Sequence, residues 1–573
     1  MRKTYWIIAV LFIGIYFASR LVNLTDLPIF TDEAIYIRWA QIGGRDAAHR
    51  FISLTDGKQP LFVWFTMVTL RLFSDPLFAG RVVSAVSGLG SLFGIGLLTW
   101  EFFRKKRAAV LASLLYLTSP FALMYDRMAL MDSMVAMFSI WSLYFAVLLV
   151  RTVRLDVALI FGMVLGGGVL TKTSGFLNIY LLPATLLLFD RSKKDAKARL
   201  LRLLGLMLVA VSLSQLIYSV LRLSPWFHLI HQKDGTFIFT LEEFRDQPFR
   251  FFIGNMRGMI DWIVRYMTPP ILVMAIGSLY WTGDKLRKST LILFWSPLLY
   301  AAFALYVKHF YPYVTNRTVI KYTKHIYPAF DWLTILLSVG GAVFALIHRE
   351  WKKIVLGIWF VVPFLGLAIF GKVLYPRFVL FMVMPLLVLA AWGIDRVLAQ
   401  VRSRFMQAIV LIVLLAMPLY ADVKILFSIV TAPIPRSDAD QYINDWPSGW
   451  GIREVVDFIR RESAIGPVAV YTDGTFGLLP YAIEIYLVDK PNIEIIGIWP
   501  IREEMTDHMR DRIAEKPTYM VLNRDQALPK NWLATEIAAY QKGSNQKVYL
   551  RLYQLHGEKR IPETPAVNSP IEE

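Results

Sequence analysis

Blocks of about 20 consecutive apolar residues, the length that crosses a hydrocarbon core, recur along the first 430 positions and constrain the fold more than any other feature. Runs of that length read as membrane-spanning helices. Hydrophobic residues make up 56% of the chain and the mean hydropathy is +0.49, against about 45–50% apolar for a soluble domain. The chain begins Met-Arg-Lys, followed by an apolar run from Tyr5 to Ala18. This has the outline of a signal peptide, but no small-residue cleavage site follows and many spans come after, so it reads as a retained first helix.

Charge sets the orientation. The formal net charge is +18, yet the excess is not spread evenly. Residues 1–433 hold 45 basic and 22 acidic residues, and the rest hold 16 and 21. The basic residues cluster in short loops: Arg104–Arg107, Arg151 and Arg154, Arg191–Arg202, Lys285–Lys288, Arg349–Lys353 and Arg396–Arg404. That is the positive-inside pattern of a membrane protein, not the footprint of a nucleic-acid partner. The apolar run Leu61–Phe73 has 13 residues, short for a span. If it crossed, every later basic loop would land outside. Read as an interfacial helix within a first outer loop, 23–80, it places all of them inside. The expected spans are 5–22, 81–100, 108–124, 132–150, 156–172, 176–190, 200–222, 260–282, 289–307, 329–348, 354–371, 377–395 and 405–425. The fold class is therefore mainly α: a polytopic bundle of about 13 spans over 1–433, with the N-terminus cytoplasmic and the C-terminal end outside.

Residues 434–556 form one further domain by length and lack long apolar runs. Ile452–Arg461 has helical spacing and Glu503–Ile513 reads as helix. Val468–Tyr471 and Tyr519–Leu522 read as buried strands, and Val548–Leu555 as an edge strand. A small soluble α/β domain follows, with 557–573 a proline-containing disordered tail.

With this orientation the outer face collects Asp32, Glu33, Asp56, Lys58, Asp126, Arg127, Asp132, Lys172, His309, Lys321, Lys324, His325 and Arg377. Charges near a membrane core are costly, and they are usually paired or functional. For a single Lys or Arg at a helix end the bland alternative is snorkelling. For Asp132, which opens an apolar helix, it is a cap or a partner of the helix dipole. As a set, carboxylates suit general-base work on a hydroxyl and cations suit a departing phosphate. There is no Walker loop and no Gly-x-Gly-x-x-Gly. A phosphate-bearing donor would then come from the membrane. Gly166–Gly168 lies inside a span and reads as helix packing. The chain has no cysteine, which excludes disulfides, thiolate nucleophiles and Cys-based zinc sites.

Five segments in order resemble motifs of the GT-C membrane glycosyltransferases. The branch is that of the protein O-mannosyltransferases and the aminoarabinose transferases of lipid A. Thr31-Asp32-Glu33-Ala34-Ile35-Tyr36 resembles the Asp-Glu motif of the first outer loop. Gly57-Lys58-Gln59-Pro60-Leu61-Phe62-Val63-Trp64 resembles Lys-Pro-Pro-Leu-x-x-Trp, with Gln59 replacing the first proline. The stretch from Ser119-Pro120 to Asp132-Ser133 resembles the one carrying a second acidic residue. Gly166 to Lys172-Thr173 resembles Gly-Leu-x-x-Leu-Thr-Lys, and Tyr375-Pro376-Arg377-Phe378 resembles a late Arg-Tyr helix, with Phe378 for tyrosine. The resemblance covers 1–433. It implies a transferase that uses a polyprenyl-phosphate-linked sugar and inverts at the anomeric carbon. Asp32 would be the base, Lys58, Lys172 and Arg377 would neutralise the lipid phosphate, and Asp132 would complete the acidic side. Glu33 would share the acidic role or ligate a divalent metal, a requirement the family leaves open.

The expected partners are a polyprenyl-phosphate sugar, the bilayer, and a protein, lipid or glycan acceptor offering a hydroxyl or phosphate. No nucleic acid is expected. The expected location is the cell (plasma or inner) membrane. The alternative is a transporter or flippase for a lipid-linked or anionic substrate, whose charges would line a pathway, although no internal repeat of the transporter kind is visible. Asn316-Arg317-Thr318 fits an N-glycosylation acceptor on the outer side.

Overall fold

A computed structural model of the chain describes residues 2–282, 334–523 and 527–558. The expected span 289–307, His309, Lys321, Lys324, His325, the Asn316 tripeptide and the tail beyond 558 lie outside the described residues. The chain is mainly helical and divides into two compact units. One comprises Met1–Leu24, Trp39–Ser74 and Phe78–Asp438; the other comprises Thr25–Arg38, Asp75–Leu77 and Ala439–Glu573.

Among the described residues six helices are long and apolar enough to cross a membrane: Pro76–Phe103, Met131–Thr152, Ala196–Leu223, Trp351–Phe370, Pro376–Gln400 and Arg404–Phe427. Two further pairs qualify only as bent spans. Lys106–Leu117 and Pro120–Asp126 meet at 57°, where Ser119 caps the second helix through Ala122 N–H and Pro120 starts it. Phe252–Met267 and Pro269–Leu279 meet at 107°. The straight span expected at 260–282 is thus corrected to a bend. Thr268 precedes Pro269, whose ring excludes the helical conformation from the residue before it, and Thr268 adopts φ 63°, ψ 143°. The span expected at 176–190 is broken into turns, Thr173–Phe176, Leu177–Tyr180, Leu182–Thr185 and Leu186–Leu188. Leu61–Thr69 is a nine-residue helix, about 14 Å long and too short to cross alone.

Leu380–Gln400 is buried along nearly its whole length. It packs against Lys106–Leu117, Met131–Thr152, Pro269–Leu279 and Trp351–Phe370. Close packing also explains the glycine run. A Cβ on Gly166 would lie 2.7 Å from Ile217 Cδ1, and one on Gly167 2.4 Å from Phe138 Cε1, so only small residues admit these neighbours.

The bundle has two chemically different ends. At one, Glu101 pairs with Arg104 at 2.6 Å and with Arg151 at 2.5 Å, and Arg107 pairs with Asp395 at 2.5 Å. Asp132 opens the helix that ends beside Arg151, and Arg377 precedes the helix that carries Asp395. Asp132 and Arg377 therefore mark the opposite end, about 30 Å away at 1.5 Å per residue.

The second unit holds a five-stranded sheet. Its strands are β1 (Val468–Asp473), β2 (Ile493–Ile498), β3 (Thr518–Leu522), β4 (Trp532–Lys542) and β5 (Asn545–Glu558), in the order β2-β1-β3-β5-β4. β1 pairs in parallel with β2 and β3, and β5 pairs antiparallel with β3 and β4. The strand read as an edge, Val548–Leu555, lies within β5 and is bonded on both sides; β4 and β2 are the edges. Tyr471, Met520, Leu522, Trp532 and Leu555 fill a core closed by Met505 and Met509. The helix expected from Glu503 begins at Asp507, where Thr506 accepts from Met509 N–H.

Candidate active site

The carboxylates and cations expected on the outer face and lying among the described residues fall into three groups. The first, Asp126 and Arg127, carries structure. Asp126 is fully buried and accepts from Tyr16 Oη at 3.1 Å, Tyr116 Oη at 3.1 Å and Ser133 Oγ at 2.9 Å; Arg20 Nε lies at 3.5 Å. Arg127 donates to the carbonyls of Ser19, Arg20, Val22 and Asn23 at 2.6–3.0 Å. It thereby serves two of the last carbonyls of the first helix, Arg2–Leu21, and two of the turn that follows it.

The remaining first-unit residues converge. Lys172 leaves its helix in extended conformation at the C-cap and donates from Nζ to Asp132 Oδ1 at 2.6 Å. The Lys172 ammonium lies 4.5 Å from the centre of the Phe378 ring, and the Arg377 guanidinium lies 5.7 Å from it. Phe378, standing where the resemblance expects tyrosine, thus offers an apolar face to two cations. Lys58 sits 3.3 Å from Asp56 Oδ2, and Lys233 pairs with Asp56 Oδ1. Gln59, at the position where proline is usual, donates to Thr173 Oγ1 at 2.8 Å. That bond ties the Lys58 segment to the residue after Lys172.

Sequence reasoning missed one group here. Asp438 is fully buried and accepts from Tyr125 Oη at 2.6 Å and from Tyr266 Oη. Each tyrosine comes from a bent helix pair, and Tyr266 stacks on Phe121 with ring centres 4.5 Å apart. Burial pushes the Asp438 carboxyl up to about 7, against the pull of both tyrosines and of Arg377; Asp132 adds to the rise. Asp438 therefore belongs to the electrostatic neighbourhood of Arg377 and Asp132. Its local sequence, Arg436-Ser-Asp-Ala439, reads as a solvated turn and gives no signal.

Asp32 and Glu33 belong to the second unit, on the first turn of the helix Thr31–Arg45. Two carboxylates there favour the helix dipole. Glu33 is fully buried and its Oε2 accepts from Phe30 N–H at 2.9 Å, the back-bond of a capping box. Among the described residues no group of three or more His, Asp or Glu side chains is placed to hold a metal ion.

Residues 57–218 match the family described as dolichyl-phosphate-mannose-protein mannosyltransferase. No curated protein matches the chain. Among solved structures, ArnT from Cupriavidus metallidurans in the apo state aligns with a TM-score of 0.50 and 14% identity, over 97% of this chain and 98% of that one. The same protein bound to undecaprenyl phosphate aligns at 0.49 and 15%, over 97% and 98%. The apo oligosaccharyltransferase of Archaeoglobus fulgidus aligns at 0.47 and 14%, over 91% of this chain and 70% of that one. At such identity the first alignment establishes a shared fold. With the family match, it bears out the resemblance to the GT-C membrane glycosyltransferases.

Proposed function

We propose that the chain transfers a sugar from a polyprenyl-phosphate donor to an acceptor hydroxyl or phosphate on the outer side of the cell membrane, inverting the anomeric carbon. The observation that carries this reading is the convergence of Lys172, Asp132 and Arg377 at one end of the bundle, with Lys58 joined through Gln59 and Thr173. Cations held at a low-dielectric surface suit a phosphate that leaves as an anion. An undecaprenyl phosphate is bound by the similarly folded ArnT, and the matched family is named for a dolichyl-phosphate sugar.

In the reaction a hydroxyl oxygen attacks the anomeric carbon as its proton passes to Asp32. The bond from that carbon to the phosphate oxygen breaks on the opposite face, and the electron pair leaves with the lipid phosphate. Lys58, Lys172 and Arg377 receive that charge. Asp132 holds Lys172 in place and Glu33 fixes the turn that carries Asp32.

The test is binding and transfer of a radiolabelled polyprenyl-phosphate sugar in detergent. Arg377→Ala and Lys58→Ala should each weaken donor binding by about 10-fold or more, the scale of a hydrogen bond to a charged group. Wild-type affinity in both variants would remove the phosphate site. Orientation has a separate test. Tags after Arg104 and Arg349 should report cytoplasm and a tag at Glu573 the outside; a cytoplasmic C-terminus would invert the assignment.

A further inference from the structure

Besides the local bond from Phe30 N–H to Glu33, the Asp32–Glu33 turn is tied, within the second unit, to the far end of the chain. Thr31 donates to Pro447 O from both its backbone N–H and its Oγ1, each at 3.1 Å. Phe30 and Ser448 form an antiparallel bridge, and the Phe30 ring meets Tyr442 edge-on with centres 4.8 Å apart. The 446–448 segment has no regular structure of its own and is held by Lys542. This lysine, on the last residue of β4, is fully buried. Its Nζ donates to Ser448 O at 2.5 Å, Trp446 O at 3.1 Å and Asn523 Oδ1. Asn523 Nδ2 in turn donates to Trp446 O at 2.9 Å. Two turns along the helix from Thr31, Arg38 Nε pairs with Glu484 Oε2 at 2.5 Å, both side chains mostly shielded.

A buried ammonium must find acceptors for all three protons. Lys542 spends all three on one strap and the residue beside it, and that strap carries the carbonyl to which Thr31 is bonded. Glu484 fixes the same helix where a rotation about its axis would re-aim Asp32.

We infer that Lys542 and Glu484 are positioning residues: the C-terminal domain holds Asp32 in its productive orientation through the 446–448 strap and the Arg38 pair. The inference rests on the reading of Asp32 as the base. It assigns the C-terminal domain a share in turnover, with no contact to substrate required.

The test uses the full-length protein in detergent, with three readouts: kcat, donor KM and hydrogen exchange at Thr31–Glu33. Lys542→Met keeps the length of the side chain and removes the donors. Glu484→Gln keeps its shape and removes the charge. Each should lower kcat by about 10-fold or more, since misplacing a reacting group by an ångström costs up to 10²-fold. Donor KM should stay within about twofold, and exchange at Thr31–Glu33 should rise. Reversing the pair, Arg38→Glu with Glu484→Arg, should recover much of the loss. Glu536→Gln, which removes the Arg551 partner on the same sheet, should change none of the three.

If Lys542→Met or Glu484→Gln folds with wild-type exchange and kcat, the inference is overturned. A fall only in the yield of folded protein, with kcat per folded molecule unchanged, also overturns it. Asp32→Asn measured alongside separates the two readings. Wild-type turnover in that variant removes the base and the inference with it. An inactive Asp32→Asn beside an unaffected Lys542→Met removes the positioning role alone.

Discussion

Asp32→Asn should lower turnover by at least about 10²-fold while donor binding stays near wild type, the range that a positioned general base contributes. The substitution keeps the size of the side chain and its place on the first turn of Thr31–Arg45. It removes only the capacity to take a proton. An acceptor hydroxyl is a weak nucleophile until its proton begins to leave, so the loss falls on kcat and not on the phosphate contacts. Glu33→Gln should behave differently. A neutral amide oxygen can still accept from Phe30 N–H, the bond seen at 2.9 Å, so the turn should survive with a smaller loss. The measurement is single-turnover transfer from a labelled polyprenyl-phosphate sugar by purified protein. Full activity in Asp32→Asn shifts the base to Glu33 or Asp132, and full activity in Asp32→Asn, Glu33→Gln and Asp132→Asn alike sinks the transferase reading.

The bundle was legible because its signal is local. Apolar blocks and basic loops are read one segment at a time, and they locate most of the long helices. The bend at Thr268 was also written in the sequence, since two consecutive prolines follow it. β4 was hidden for an opposite reason. Trp-Leu-Ala-Thr-Glu-Ile-Ala-Ala-Tyr suits a helix as well as a strand, and pairing with β5 decides between them. Of the site, the residues lying in ordered motifs could be found. Asp438 could not, because the hydroxyls that bond it, Tyr125 and Tyr266, lie 313 and 172 positions away. Nor could the union of Thr25–Arg38 with the C-terminal domain be found, which rests on single bonds such as Thr31 to Pro447. Such pairings carry no local periodicity.

Asp126→Ala should destabilise the protein by about 3–5 kcal/mol, the cost of stripping one partner from a buried ion pair. Asp126 and Asp132 sit six positions apart in one motif-like stretch, and both looked like candidates for chemistry. Their surroundings separate them. Asp126 and Arg20 are both fully buried, and the carboxylate also accepts from two tyrosines and a serine. Its removal leaves the Arg20 guanidinium hydrogen-bonded to Ser19 Oγ and two backbone carbonyls, with the more distant Asp422 as the carboxylate whose field still reaches it. The Tyr116 and Ser133 hydroxyls lose this acceptor in the same step, while Tyr16 Oη keeps the Ala85 carbonyl at 2.7 Å. Asp132 instead faces a lysine that is one-quarter exposed, where solvent can take over the lost bond. Asp132→Asn should therefore unfold near the wild-type temperature yet transfer sugar slowly. Asp126→Ala should unfold far earlier, and whatever remains folded should turn over normally. Thermal unfolding in detergent, read beside turnover per folded molecule, separates the two. Early unfolding of Asp132→Asn with Asp126→Ala unchanged would exchange the roles assigned to the two carboxylates.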